Sequence, residues 1–462
     1  MSKRPQHLLR RIDGVPYLLP FGQAVVDAHR AARLDEQGAW LWERLARLPE
    51  GADPVHFLAN EVMAAHGELT AGDRPGVESD MRAFLGNLGA VGALPGEGPT
   101  VIGVQPTRDG CPHRTSEASV TAGPVHMRLT GRVDLLDGAF DAFARQAKGN
   151  ACATDAPASA PVEQRRAGRA GTELAVTLDE GPAPSAAGMR VLLQAPEITV
   201  CADDEGYGLF FPLAPGLRAM RVARDGSSAV LYVTDPDDLP SLSLEALAEL
   251  SRGAADAPDR RFGSVRERLA FDLFHAIRQP FLVASQTAGL FVMHSCSFAY
   301  RGRAWLVSAP SGGGKSTHAR LWHDEFGVPL LNGDLNLLGL ADAGRDTAAS
   351  ARAYGIPWCG TSGVCRAFSL PLGGVILLGK ATTDAAGLLP RGGERATLGV
   401  FNRLISPTWR EDQLDANLAF SRGLAGSVPV WRLDCTARPS AARVMRAAID
   451  AWLDGSGDDA RV

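Results

Sequence analysis

One stretch limits the fold of this chain more than any other. The apolar run Trp305–Ser308 leads directly into Ala309-Pro310-Ser311-Gly312-Gly313-Gly314-Lys315-Ser316, and a segment of helical character, Thr317–Phe326, leaves it. A strand, a glycine-rich loop and a helix in immediate succession form the Walker A arrangement, here with Ala309 in place of the first glycine. Glycines let the backbone curl without Cβ clashes, so the N–H groups of residues 312–315 can converge on a phosphate at a helix N-terminus. Lys315 is then placed to neutralise the β- and γ-phosphates, and the Ser316 hydroxyl to ligate Mg²⁺. Ser311, Gly312, Gly313, Gly314, Lys315, Ser316 and Thr317 are the expected nucleotide contacts.

The surrounding pattern agrees with an α/β core. Apolar strands are predicted at Gly289–Ala299 and Ala304–Ser308, joined by the polar turn Tyr300–Arg303, and again at Val328–Leu331, Gly374–Leu378 and Val428–Leu433. An amphipathic helix, Ser440–Leu453, ends the series. Strands alternating with helices indicate such a core.

Transfer of a phosphoryl group to a hydroxyl needs a proton acceptor near the γ-phosphate. Leu330-Leu331-Asn332-Gly333-Asp334 supplies one at a strand end, nineteen residues after Lys315. Asp334 can hold Mg²⁺ as a Walker B acid, act as the base, or be an ordinary Gly-Asp turn residue. His294 lies in the strand before the turn at Tyr300–Arg303. It is either a satisfied core histidine or a residue beside the loop on the neighbouring strand.

Taken together, His294, the loop ending Gly314-Lys315-Ser316, and Asp334 resemble the HPr kinase/phosphorylase family over roughly residues 265–450. The resemblance implies ATP and Mg²⁺ as cofactors and transfer of the γ-phosphoryl group to a hydroxyl. Lys315, Asp334 and His294 would be the catalytic residues, and Ser316 and Asp334 the metal ligands. It also implies a homo-oligomer. This chain departs from the family where Leu335 replaces the second of paired acidic residues and Thr317 stands where glutamate is usual. The downstream signature for phosphorolysis is missing, so neither HPr as substrate nor the reverse reaction is expected. Tyr354–Thr361, rich in turns and aromatics, reads either as a ligand-side loop or as a packed turn.

Residues 1–97 have a different pattern. Two short strand-like runs, Val15–Pro20 and Gln23–Ala28, precede helical segments at Gln37–Leu48 and Pro54–His66. A third helix places Val77, Met81, Phe84, Leu85, Leu88 and Val91 on one face. This is the composition of a small winged-helix-like α+β module. Gly14–Pro20, Leu34–Trp42 and Met81–Leu94 resemble PqqD-like peptide-recognition domains, which implies binding of a precursor peptide's leader as an added strand. The rival, a DNA-reading winged helix, is disfavoured by ten Lys/Arg against thirteen Asp/Glu in this segment.

Between the two lie Gly/Pro-rich stretches, Leu94–Pro124 and Asn150–Gly171, read as linker or surface loop. Strand-like runs are predicted at His126–Val133, Leu174–Leu178, Met189–Leu193, Glu197–Ala202 and Ala229–Val233, followed by a helix at Ser264–Arg278. The expected layout is α/β multidomain: 1–97 the peptide-recognition module, 98–124 a linker, 125–287 a β-rich middle region with loop 150–171, and 288–462 the phosphate-loop core. With 462 residues the chain has room for several domains.

Net charge of −5 argues against a general polyanion binder, so nucleic acid is not an expected partner. The seven cysteines are scattered without a Cys-x-x-Cys pair, which argues against a disulfide framework or zinc site. Neither a signal peptide nor an uninterrupted apolar span appears, so a cytoplasmic protein is expected. Only four of the 47 basic residues are lysines, and Lys315 is one of them. The leading expectation is a kinase acting on a Ser or Thr hydroxyl of a ribosomally made peptide. Its alternatives are a nucleotide-gated peptide chaperone, a small-molecule kinase and a DNA-binding regulator.

Overall fold

The computed structural model describes residues 7–26, 31–49, 51–94, 116–144, 171–214, 216–236, 262–340 and 351–455. They form a mixed α/β protein with three sheets. Two compact units are present: residues 1–102 with 190–195 and 407–415, and the remainder. The expected loop 150–171 lies outside the described residues but for Gly171.

In the first unit, strands His7–Ile12 and Val15–Pro20 form a hairpin around Asp13-Gly14. Both turn residues have positive φ, the geometry an Asp-Gly pair favours between antiparallel strands. Ala32–Arg33 adds a short third strand beside Val15–Pro20, so His7–Ile12 is a sheet edge. Helices follow at Glu36–Leu45, Pro54–Ala65 and Arg74–Ala90. The first two start where Asp35 and Asp53 carboxylates accept the backbone N–H of Gly38 and His56. Leu41, Leu58, Ala59, Val62 and Met81 form their common core. The predicted strand at Gln23–Ala28 is corrected: Gln23–Val26 is a helical turn. Gly22 donates to Thr408 O, and Gln23 makes two side-chain bonds to the Gln194 backbone, so tertiary partners replace the ladder an extended run would need.

The second unit contains both larger sheets. In one, seven strands run in the order Ser116–Ala122, Val125–Gly131, Thr172–Asp179, Ser228–Val233, Leu217–Ala223, Gly206–Phe210, Thr199–Ala202. The strand Ser116–Ala122 falls within the stretch read as linker. Alternation sends Val125, Met127 and Leu129, and likewise Leu174, Val176 and Leu178, to the buried face. Helix Val265–Thr287 is longer than its predicted span. It begins at an N-cap where Ser264 Oγ accepts from Glu267 N, and it packs on this sheet and on strand Leu290–His294 of the next.

The phosphate-loop sheet is built on three parallel strands, with Ser369–Lys380 between Arg303–Ser308 and Val430–Cys435. Residues 304–307 of the first are fully buried and face both ways. Ala304 and Leu306 join Val375, Phe420 and Leu424 on one face; Trp305 and Val307 join Trp322, Trp431, Met445 and Ile449 on the other. Helices therefore cover both faces, the burial that continuous apolar strands demand.

One expectation changes in an informative way. The predicted strand Gly289–Ala299 is two strands, Leu290–His294 and Cys296–Tyr300, broken at Ser295. The first pairs with Leu335–Leu340, the second with Arg303–Ser308 and Leu330–Asn332. The partner segment breaks as well, at Gly333-Asp334 between Leu330–Asn332 and Leu335–Leu340. Ser295 N donates to Asp334 O at 2.7 Å, so the two breaks meet.

Candidate functional site

The loop after Arg303–Ser308 uses its glycines for two different reasons. Gly312 and Gly314 have φ of +67° and +89°, conformations that side chains oppose. Gly313 is required by space, because a Cβ there would fall 2.6 Å from Ala309 Cβ and 2.8 Å from Pro310 O. Helix Lys315–Phe326 begins directly after Gly314, with no side chain capping its first turn. Its leading N–H groups are thereby available to an anion, and the dipole favours negative charge there. The nucleotide contacts expected from the sequence, Ser311 to Thr317, all lie on this loop and first turn. Burial pushes the half-buried Lys315 ammonium below its usual pKa, against the pull of Asp334 and Cys296.

His294 and Asp334 come together, Nε2 to Oδ1 at 3.0 Å, and both stay about 30% exposed, with side-chain values of 29% and 31%. Backbone bonds fix each of them. His294 N donates to Arg403 O at 2.8 Å, and His294 O accepts from the hydroxyl of Ser308, the last residue of the phosphate-loop strand, at 2.6 Å. Asp334 N donates to Asn332 Oδ1 at 2.9 Å. A buried network then holds Asn332: its N–H donates to Ser297 Oγ, its Nδ2 to Ile356 O, while Ser297 Oγ donates to Asn336 Oδ1 and Asn336 Nδ2 to Ser295 O. Every bond in the chain is satisfied by another buried polar group, so the geometry is stiff.

Cys296 lies between the loop and the acid. Its thiol donates to Gly333 O at 2.8 Å and sits 3.6 Å from Ser316 Oγ, and burial raises its pKa. Ser316 and Asp334, the two expected metal ligands, are therefore held on either side of one side chain. Among the described residues no group of three or more His, Cys, Asp or Glu could hold an ion by itself. A hydroxyl and a carboxylate, both hard oxygen donors, instead fit Mg²⁺ held by few protein ligands together with phosphate and water.

The turn Tyr354–Thr361 is packed on both sides. Trp358 is buried in the core and donates Nε1–H to Phe274 O at 2.9 Å. Gly360, with φ +60°, lies against Asp334, where a Cβ would come within 3.0 Å of Asp334 Cβ and Cγ.

Two adjoining cavities open at the C-terminal ends of the parallel strands, the usual ligand position in such sheets. One, of about 530 Å³, is lined by Ser308, Leu377, Leu389, Arg395 and Leu398 among others; the second, of about 390 Å³, by Pro310, Ser311, Gly313 and Lys380. Leu378, Arg403 and Arg432 line both. No sequence pattern marks Arg403, Cys296 or Ser308 as site residues: Arg403 carries no motif, and the other two gain their meaning only from the contacts described above. The five cysteines among the described residues are all free. No described helix is long and apolar enough to cross a membrane.

No protein-family model matches this chain, and no curated protein matches its sequence. Among solved structures it is similar to the HPr(Ser) kinase/phosphatase from Coxiella burnetii, at 11% identity and a TM-score of 0.19, covering 37% of this chain and 99% of that one. A likeness of that size carries no argument about activity, which rests on the geometry above.

Proposed function

We propose that this chain is an ATP-dependent kinase that transfers the γ-phosphoryl group to a Ser or Thr hydroxyl of a ribosomally made precursor peptide. The observation carrying the reading is the His294–Asp334 pair, which is tied to the phosphate loop through Ser308 on one side and Cys296 on the other. Loop amides and Lys315 bind the phosphates, and Ser316 and Asp334 would hold Mg²⁺, which when bound offsets the charge on the β- and γ-oxygens. The acceptor oxygen attacks phosphorus as the bond to the β,γ-bridging oxygen breaks and ADP leaves. Asp334 takes the hydroxyl proton. His294 donates Nε2–H to Asp334, which holds the carboxylate in place and steadies its charge before transfer.

For the peptide, strand His7–Ile12 is an outer strand of its three-stranded sheet, the position at which strand addition takes place. A leader held there raises the effective concentration of the tethered acceptor. Intact-mass analysis of a precursor peptide after incubation with ATP and Mg²⁺ tests the reading, with a phosphate adduct as the expected result. Lys315→Ala and Asp334→Ala should both abolish the adduct, while only the first markedly weakens ATP binding. Full transfer by Asp334→Ala would remove the assigned base. Undiminished transfer after deletion of residues 1–97 would remove the leader-binding role.

A further inference from the structure

Arg403 is a cation held in place with no carboxylate partner among the described residues. Its side chain lines both cavities at the phosphate loop, is half-buried, and forms no ion pair among the described residues. Burial lowers its pKa, and it lies close enough to Lys315 to disfavour that ammonium's charge. Arg432, which lines the same cavities, is by contrast paired with Asp434 at 2.8 Å.

The Arg403 backbone is fixed where it stands. Arg403 O accepts from His294 N, Leu404 bridges to Met293, and Ile405 N donates to Val292 O at 2.9 Å. This short segment therefore runs along the edge of the strand that delivers His294. Two cations brought together beside an anion-binding loop, with no carboxylate on the second, are unfavourable until an anion with several oxygens arrives. A guanidinium in that position suits phosphate because its fork can bind two oxygens at once.

We propose that Arg403 binds the terminal phosphoryl group of the nucleoside triphosphate, together with Lys315, and stabilises the charge on its oxygens during transfer. The assignment rests on the kinase reading, but its binding test needs no acceptor. ATP and ADP affinities would be measured by titration calorimetry with Mg²⁺ for the full chain, Arg403→Gln and Arg403→Lys. ATP binding should weaken about 10- to 100-fold in Arg403→Gln, with ADP binding unchanged. Arg403→Lys should recover part of the ATP affinity, because it keeps the charge and loses the fork. Peptide phosphorylation by Arg403→Gln should fall by about a thousandfold or more.

Equal ATP affinity in wild type and Arg403→Gln would overturn the assignment, and so would parallel losses for ATP and ADP. Should Arg403→Gln fail to fold, wild-type ATP affinity and transfer rate in Arg403→Lys would overturn it. A wild-type chain that binds no nucleotide overturns this assignment and the kinase reading together. Loss of the ATP preference in Arg403→Gln, in a wild type that phosphorylates no peptide, supports Arg403 and overturns the kinase reading alone.

Discussion

His318 is the residue through which acid should loosen the phosphate-loop helix. It sits on the first turns of Lys315–Phe326, 2% exposed, and its Nε2 accepts from Trp322 Nε1 at 3.2 Å. Because an indole nitrogen only donates, that imidazole nitrogen must be unprotonated in the fold. Protonation would break the bond and put a cation beside Trp322, which is itself stacked on Phe298 with ring centroids 4.3 Å apart. Burial accordingly lowers the His318 pKa from 6.5 to about 4. The unfolded chain takes up the proton first, so the histidine's full contribution is present above pH 6.5 and is lost as pH falls toward 4. At about 1.4 kcal/mol per pH unit, the loss reaches about 3 kcal/mol.

Asp272, pushed up to about 6 by burial against the pull of Arg268, titrates over part of the same range with the opposite sign and gains stability as pH falls. An absolute stability curve therefore mixes the two, and a difference is needed. His318→Gln keeps an acceptor for Trp322 and removes the titration. Urea midpoints followed by tryptophan fluorescence, taken from pH 7 down to pH 4.5, should show wild type losing stability relative to His318→Gln at every step below pH 6.5. Parallel curves would refute the argument, because they would mean that His318 takes up its proton equally in the folded and unfolded chains.

Three further outcomes follow from contacts at the site. Gly313→Ala should abolish ATP binding in a nucleotide titration while leaving the melting temperature nearly unchanged, since its Cβ collides only with Ala309 and Pro310 of the same loop. Gly360→Ala should slow phosphoryl transfer with ATP affinity preserved, because the new methyl presses on Asp334; the left-handed φ adds about 1–2 kcal/mol of strain, readable in urea denaturation. Ser297→Ala leaves Asn336 Oδ1 without its donor and Asn332 N–H without its acceptor. A loss of about 2 kcal/mol or more in urea denaturation is expected, with transfer falling as Asn332 releases Asp334.

The phosphate loop was legible because its determinants are local. Strand, glycines, lysine and helix are neighbours in sequence, and the structure gives each glycine a steric reason. The strand breaks were not legible. Met293-His294-Ser295-Cys296 contains no glycine or proline to mark a stop, and only the bond from Ser295 N to Asp334 O, a partner far along the chain, shows where extension stops. Residue type and placement alone point to His294 and Asp334, while their 3.0 Å contact depends on two breaks that meet in space. Arg403 was invisible for a related reason. Its meaning comes from a cavity wall and from a charge without a carboxylate partner among the described residues, neither of which a linear pattern records. Gln23–Val26 misled because four residues are too few to distinguish a period of 2 from one of 3.6.

The edge pairing of residues 403–405 also has a consequence for when the site comes into existence. Val292 donates its backbone N–H to Ser406 Oγ, a partner 114 residues on, and the flanking bonds from His294 N to Arg403 O and from Ile405 N to Val292 O close the same long loop. Closing a loop of that length costs entropy before any contact repays it. As the chain leaves the ribosome, the phosphate loop and Asp334 emerge well before the segment that anchors His294. Nucleotide affinity should therefore appear as a late event in folding, after the parallel core has been laid down, and ATP would select chains that have already finished.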